Sequence, residues 1–359
     1  MAYTTIDDPS AYFQTVLYTG NESGQSITND GNSDLQPDLV WIKNRGDAHG
    51  HQLQDSTRGV GKALESNNTD PEQTGTVQDN FTAFNSDGFS LGAGHQKYND
   101  QDDTYVAWQW KCNGGTTTAT SASGSTDDDT DIIATTHQAN TTAGFSIITY
   151  DGDATSGKKI THGLGATPTF ALFKNIEYGS GTSWGVFTTK TGVTALALDT
   201  TAAAATDSGF FSNTLPDATH ITVGSHGNTG SAHDFVCYAF TNIQGYSKSG
   251  SYTGNGNADG TFIYTGFKPA WLIYKRSSDT GNWRILDHKR DTYNVMGNEI
   301  YADLSNAEAD DDQIDFLSNG FKLRNGSSVG QNGNGSTYVY MAFAKHPFVS
   351  SEGVPTTAR

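Results

Sequence analysis

Hydrophobic and polar residues alternate along this chain in short runs, and the runs recur three times in the same order. The clearest spans Tyr105–Trp110, where Tyr105, Ala107 and Gln109 alternate with Val106, Trp108 and Trp110. A period of two, dense in aromatic and β-branched residues, predicts a strand packed on at least one face. Matching runs are FVCYAF from Phe235 and YVYMAF from Tyr338. Upstream of each lies a proline-led strand: PDLVWIKNR from Pro37, PTFALFKNI from Pro168 and PAWLIYKRS from Pro269. A turn and a second strand follow in each case, as HQLQDSTRG from His51, SWGVFTTKTG from Ser183 and NWRILDHKRD from Asn282. The first and third passages also share SDGFSLG (from Ser86) and SNGFKLR (from Ser318), against the looser SGFFSN (from Ser208).

These rhymes predict three divergent copies of one β-rich unit. Each copy, of roughly 100 residues with several short strands, needs two packed sheets to hide its apolar faces. The expected fold is all-β, with three tandem antiparallel β-sandwich repeats of jelly-roll type. The expected boundaries are residues 1–112, 144–242 and 243–349 for the repeats and 350–359 for a frayed tail. Residues 113–143, with GGTTTATSASGSTDDDTD from Gly114 and no periodic apolar face, read as a flexible linker or exposed loop. The second and third repeats are joined only by Asn242–Gly245, which predicts a fixed mutual orientation.

Charge narrows the partners. With 39 acidic against 21 basic residues the formal net charge is −18, so no basic stripe exists to neutralise phosphates. Nucleic acid is therefore not expected as a partner, nor is an anionic membrane surface. No apolar run is long enough to cross a bilayer as a helix, and the start MAYTTIDDPSAYFQ lacks the basic and apolar regions of a signal peptide. Cys112 and Cys237 fall in different copies, which predicts no disulfide framework and no cysteine-rich zinc site. Cys237 interrupts an apolar strand and reads as core, whereas Cys112 follows the matching strand and reads as exposed.

Chemistry-bearing residues are few and unspecific. His49 and His51 alternate before a strand, and His220, His226 and His233 surround the loop GSHGNTGSAHD, but neither set has a metal-ligand signature. Asp55–Arg58 and Asp287–Arg290 share the spacing Asp-x-x-Arg, which a turn-spanning salt bridge explains without catalysis; Thr189 stands near that place in the second copy. Trp184 and Trp283 occupy one repeated slot, either closing a core or offering an aromatic platform to a sugar or protein. The candidate ligand or partner contacts are thus Trp184, Trp283, Asp55, Arg58, Asp287 and Arg290. No nucleophile elbow or cofactor loop is present, so no catalytic residue and no cofactor are expected. Weak calcium binding at the acidic loops Asn99–Asp103 and Ala307–Asp312 is the one cation reading, although neither has EF-hand spacing.

AYTTIDDPSAYFQTVLYTGN, PDLVWIKNR, LQDSTRGVGKAL, SDGFSLG and YVAWQWK together resemble repeat units in structural proteins of marine tailed bacteriophages. YSKSGSYTGNGNADGTFIYTGFKPAWLIYKR and DFLSNGFKLR in the third copy are similar to the same family. The resemblance implies a concanavalin-like, lectin-like β-sandwich and a non-enzymatic structural protein of the virion. It would be exposed on the particle, as a tail-fibre or adhesin component in host-surface attachment, or else as a head fibre or capsid decoration protein. A carbohydrate-degrading virion enzyme is the enzymatic rival. Implied partners are other virion proteins of the tail or capsid and a host surface glycan or protein. A homo-oligomer, with a trimer favoured, is expected from the symmetry of attachment sites. Such a protein is made in the infected host cytoplasm and leaves by lysis. The function itself is expected in the loops that the copies do not share: Asn113–Ala143, Gly224–Asp234 and Asn294–Asp312.

Overall fold

The alternating runs become antiparallel strands in the computed structural model, which describes residues 2–122, 131–177, 181–326 and 328–356, and of Asp312 the backbone alone. In the first unit β1 (Phe13–Thr19), β2 (Leu39–Asn44), β3 (Gln52–Asp55), β4 (Ala63–Leu64) and β5 (Thr104–Trp110) form a sheet in the order β1-β5-β2-β3-β4. In the second, β6 (Phe145–Asp151), β7 (Phe170–Asn175), β8 (Gly185–Thr188), β9 (Gly192–Ala197) and β10 (Asp234–Phe240) repeat that order as β6-β10-β7-β8-β9. In the third, β11 (Ser247–Thr253), β12 (Phe267–Arg276), β13 (Arg284–Asp287), β14 (Met296–Tyr301) and β15 (Thr337–Pro347) give β11-β15-β12-β13-β14.

Register makes the three sets equivalent residue by residue. Leu39 lies opposite Asp55, Phe170 opposite Thr188 and Trp271 opposite Asp287. On the other side of the proline strand, Trp41 lies opposite Trp108, Leu172 opposite Tyr238 and Ile273 opposite Met341. The residue of the second unit in the Asp55 and Asp287 slot is therefore Thr188, not Thr189.

The two faces of each sheet enter different cores, because successive side chains on a strand point to opposite sides. Leu39 and Trp41, Phe170 and Leu172, and Trp271 and Ile273 all enter one central apolar cluster shared by the three units. Their alternates enter separate outer clusters: Val40 and Ile42, Ala171 and Phe173, Leu272 and Tyr274. The equivalent end residues Trp110, Phe240 and Phe343 converge at the centre, with the Phe343 ring 5.8 Å from each of the other two. Total accessible surface is 13008 Å². One compact body of this mass is expected to expose about 14,000 Å², and three separate bodies of a third each about 19,000 Å². The units share a core.

The outer layers differ. The first unit closes its outer cluster with Gln25–Ile27, Phe81–Phe84 and Phe89–Leu91, and the second with Lys158–Thr161 and His220–Val223. In the third, the sheet runs on from β14 through Ala309–Leu317, Gly320–Leu323 and Phe262–Tyr264 and curls nearly into a barrel. The described residues are thus predominantly β, in antiparallel sheets with a single α-helical turn at Ser208–Phe211, but three self-contained sandwiches in a row do not describe them.

Residues 113–143 also depart from expectation. Thr118–Thr120 and Thr135–Asn140 are strands that extend the second unit's sheet beyond β6. Their polar sequence hid them, since backbone pairing at a sheet edge needs no apolar alternation. Of the acidic run, Asp127–Asp129 lie outside the described residues, as do residues 357–359 of the tail. Cys112, expected at the surface, is buried, and its thiol points at the carbonyls of Gln138 and Phe145. The segment Asn294–Asp312 is not one loop, because β14 and the start of Ala309–Leu317 occupy much of it. No helix among the described residues is long and apolar enough to cross a membrane.

Candidate functional site

The six candidate contacts, Asp55, Arg58, Trp184, Trp283, Asp287 and Arg290, lie where one unit meets the next. Asp55 ends β3 and turns back on itself, its Oδ1 accepting from the backbone N–H of Thr57 (3.1 Å) and Arg58 (2.9 Å). Its Oδ2 accepts from Arg58 Nε (2.5 Å) and from the Tyr238 hydroxyl of the second unit (2.7 Å). Arg58 also reaches Glu72 (3.0 Å) and the carbonyl of Leu53 (3.3 Å). Asp287 repeats the arrangement, with Oδ1 on the N–H of Lys289 and Arg290, and Oδ2 on Arg290 Nε (2.5 Å) and Trp108 Nε1 of the first unit (3.0 Å). Arg290 continues to Glu308 (3.0 Å), which Arg45 of the first unit also grips through two bonds of 3.0 and 2.8 Å.

Both acids are fully buried. Burial pushes the Asp287 carboxyl up, but Arg290 and Trp108 together hold it below its ordinary value. Burial opposes the Arg290 charge as well, and Asp287 and Glu308 more than restore it. The predicted turn-spanning pair is present, and each pair additionally takes a donor from the next unit. In the second unit Thr188 keeps the turn, its Oγ1 accepting from Lys190 N–H (3.0 Å), while the strand position that would donate to it is Met341.

A second junction element was only partly legible. Trp184 and Trp283 stand four residues before Thr188 and Asp287, and the same count before Asp55 gives His51. Each of the three is buried and donates to a backbone carbonyl of a neighbouring unit: Trp184 to Glu65 (2.9 Å), Trp283 to Ala197 (2.7 Å) and His51 Nε2 to Tyr301 (2.9 Å). Those acceptors occupy one repeated place, directly after Leu64, Leu196 and Ile300. The second unit thus clasps the first, the third clasps the second, and the first clasps the third. The ring is closed. The tryptophans are therefore not exposed platforms for a ligand.

Each clasp carries the same support. The backbone N–H of His51, Trp184 and Trp283 is held by Asn67, Asp199 and Asp303 at 2.9, 3.0 and 2.9 Å. Beside them sit the equivalent lysines Lys43, Lys174 and Lys275, all buried and all brought down to about 8 by burial. Lys174 and Lys275 lie over the Trp184 and Trp283 rings, 6.0 Å away in both cases. In the first unit Trp41 Nε1 donates to His51 Nδ1 (2.8 Å), so Nε2 carries the ring proton. Burial, with the charge of Lys43, lowers the His51 pKa to about 3.

The remaining candidates disperse. His220, His226 and His233 pair separately with Asp217, Asp207 and Glu177. Asn99 spends its amide on the carbonyls of Ser23 and Gly92, and Glu308 is held by two arginines. Among the described residues no group of three or more His, Cys, Asp or Glu is placed to hold a metal ion.

A search of curated proteins finds no match. The family model described as "Domain of unknown function (DUF7483)" matches residues 8–347, a span that takes all three units together, and the chain belongs to that family.

Proposed function

We propose that this chain is a non-enzymatic structural component of a tailed-phage virion, made of three tandem copies of one sandwich-like unit. In this reading it is displayed on the particle in a tail fibre or adhesin and meets the host surface. The reading begins from the resemblance carried by the proline strands and their neighbours. The supporting observation is the closed ring of clasps at His51, Trp184 and Trp283, with Asp55 and Asp287 buried beside it. The residues best suited to chemistry are spent on rigidity. The two acids that a glycosidase reading would need are shut away from any substrate.

A second reading, as a head fibre or capsid decoration protein, is favoured by the three-way arrangement itself, which presents three similar faces to a symmetric lattice site. The trimer expected from the sequence would add copies to a body that already has threefold character. Light scattering separates these cases: a mass near three times 38.3 kDa supports the trimer, and a single mass removes it. An averaged map of the intact particle decides between tail and head. Purified protein that neither binds host cells nor competes with adsorption would overturn the attachment role.

A further inference from the structure

The three seams of the ring are filled differently, and the one between the third and first units holds the more enclosed cavity. The residue after each strand proline sits at its seam: Asp38, Thr169 or Ala270. Between the first and second units, Asp38 accepts from Ser56 Oγ (2.5 Å) and from the N–H of Cys112, Gly114 and Gly115. Gln138 reaches across the same seam to Ser56 and Thr57, and a wide, shallow depression of about 490 Å³ lies over Cys112 and Asn140. Between the second and third, Thr169 Oγ1 donates to Asn242 Oδ1 (3.0 Å), the Thr169 backbone carbonyl accepts from Ser249 Oγ (3.2 Å), and no water-sized space remains.

Between the third and first, the methyl of Ala270 replaces those polar side chains, and a cavity of about 320 Å³ opens. Thr15 lines it. Thr15 lies opposite Trp108 as Ser249 lies opposite Met341, so the two hydroxyls hold one place in the repeat. The Ser249 hydroxyl is bonded, whereas Thr15 Oγ1 is buried and has no hydrogen-bond partner among the described residues. A buried unpaired hydroxyl is costly, and in an open polar cavity it is a place for a ligand.

The cavity wall carries two lysines, Lys289 and Lys345, against two carboxylates, Asp8 and Asp30, with His288 and His346 beside them. Lys289 is committed to Asp30 at 2.6 and 2.7 Å, and Asp8 to Ser10 and Ser33. Lys345 has no ion-pair partner among the described residues and carries the uncommitted charge; burial, with Lys268 and Lys289, lowers its pKa. Phe13, Ala270 and Ala344 supply an apolar floor. The volume suits a single pyranose at the lower end of ligand pockets. One free cation, an apolar floor and an unpaired hydroxyl match a sugar ring with one carboxylate better than a phosphate.

We propose that the seam between the third and first units binds the carboxylate-bearing sugar of an acidic polysaccharide. The carboxylate meets Lys345, a ring hydroxyl meets Thr15 Oγ1, and the apolar face of the ring lies on Phe13 and Ala270. This deepens the attachment reading by naming the class of surface glycan, and rests on that reading only for the sugar's source. The test is a saturation-transfer NMR titration of the full chain with sodium galacturonate, sodium glucuronate, glucose and inorganic phosphate. A uronate is expected to bind at least about tenfold more tightly than glucose, a difference set by the charge alone. Lys345→Ala and Ala270→Thr are expected to abolish this binding, the second by importing the side chain that fills the neighbouring seam. Circular dichroism melts show whether either variant is folded, and the milder Thr15→Val, expected to weaken binding several-fold, stands in for one that is not. Equal binding of glucose, phosphate binding without uronate binding, no binding at all, or binding untouched in the folded variants would each overturn the proposal. Uronate binding without any effect on host adsorption would leave the pocket standing and remove the attachment role.

Discussion

The junctions that use a buried carboxylate and the one that does not make a natural pair. Asp55 and Asp287 each draw a donor from the next unit, Tyr238 in one case and Trp108 in the other. At the third junction the acid's slot holds Thr188, the residue equivalent to Tyr238 and Trp108 is Met341, and the arginine of the turn is replaced by Thr191. Acid, arginine and donor are all present or all absent together. A buried ion pair gains little over a well-packed apolar contact, yet half of one is strongly destabilising. The coupled substitution follows from that asymmetry. It also predicts that the two kinds of junction respond differently to the same change.

The largest response is expected from Asp287→Ala, which leaves Arg290 buried beside Glu308 with its closest counter-charge gone. Such a loss costs about 3–5 kcal/mol, read as a fall in the urea midpoint at unchanged slope. Thr188→Ala should cost far less, and equal losses at the two sites would break the comparison. A smaller effect should come from converting the first junction into the second. Asp55→Thr alone is expected to be severe, while Asp55→Thr with Arg58→Thr and Tyr238→Met recovers about 1–3 kcal/mol of it as coupling energy. Simple additivity of the single losses would show that the three residues do not act as a unit.

His51 sharpens the comparison through size and through pH. Its two counterparts are tryptophans, and the residues packed beside them on the proline strand vary inversely: Trp41 goes with His51, Leu172 with Trp184 and Ile273 with Trp283. His51→Trp alone should overpack the core and cost about 1–3 kcal/mol, and adding Trp41→Leu should restore most of it. The pair also changes acid behaviour. Unfolded histidine titrates near 6.5, whereas folded His51 does so at about 3. Between those values the unfolded chain binds more protons, so stability is full above pH 6.5 and falls as pH drops toward 3. His162 and His288, both lowered to about 4 chiefly by burial, act in the same direction. Denaturation midpoints from pH 6.5 to 4 should therefore fall in the parent, at up to about 1.4 kcal/mol per pH unit for each histidine. The double variant should lose one histidine's share of that slope, and an unchanged slope would show that His51 does not stay neutral.

Local pattern carried much of the fold into view. The proline strands, the aromatic strands and the Asp-x-x-Arg turns are all visible because each is set by neighbours in sequence. Ring closure is not local. Strand alternation shows that Trp41 and Val40 face opposite ways, but not that one faces a core shared by three units. His51 escaped notice as a clasp because histidine does not match tryptophan in hydrophobicity, although its distance from Asp55 held the signal. Lys43, Lys174 and Lys275 recur at one place after the prolines, yet a strand lysine ordinarily reads as solvated. The enclosed seam cavity was hidden most deeply, since it depends on what Ala270 lacks.

The smallest expected effect tests the quiet junction. In the second unit the hydroxyl of Thr188 makes one hydrogen bond among the described residues, accepting from Lys190 N–H, and Lys190 itself is exposed. Thr188→Val keeps the shape and removes that acceptor, and the freed N–H can turn to water instead of being orphaned. The cost should therefore stay near the net worth of one hydrogen bond, about 0.5–1.5 kcal/mol. The same isosteric logic applied to Asp55, as Asp55→Leu, removes the acceptor for two turn amides, a guanidinium and a tyrosine of the next unit. If Thr188→Val matched that loss, the second junction would depend on its polar residue as the others do. All three junctions would then depend on a polar residue at this slot, beside the three clasps.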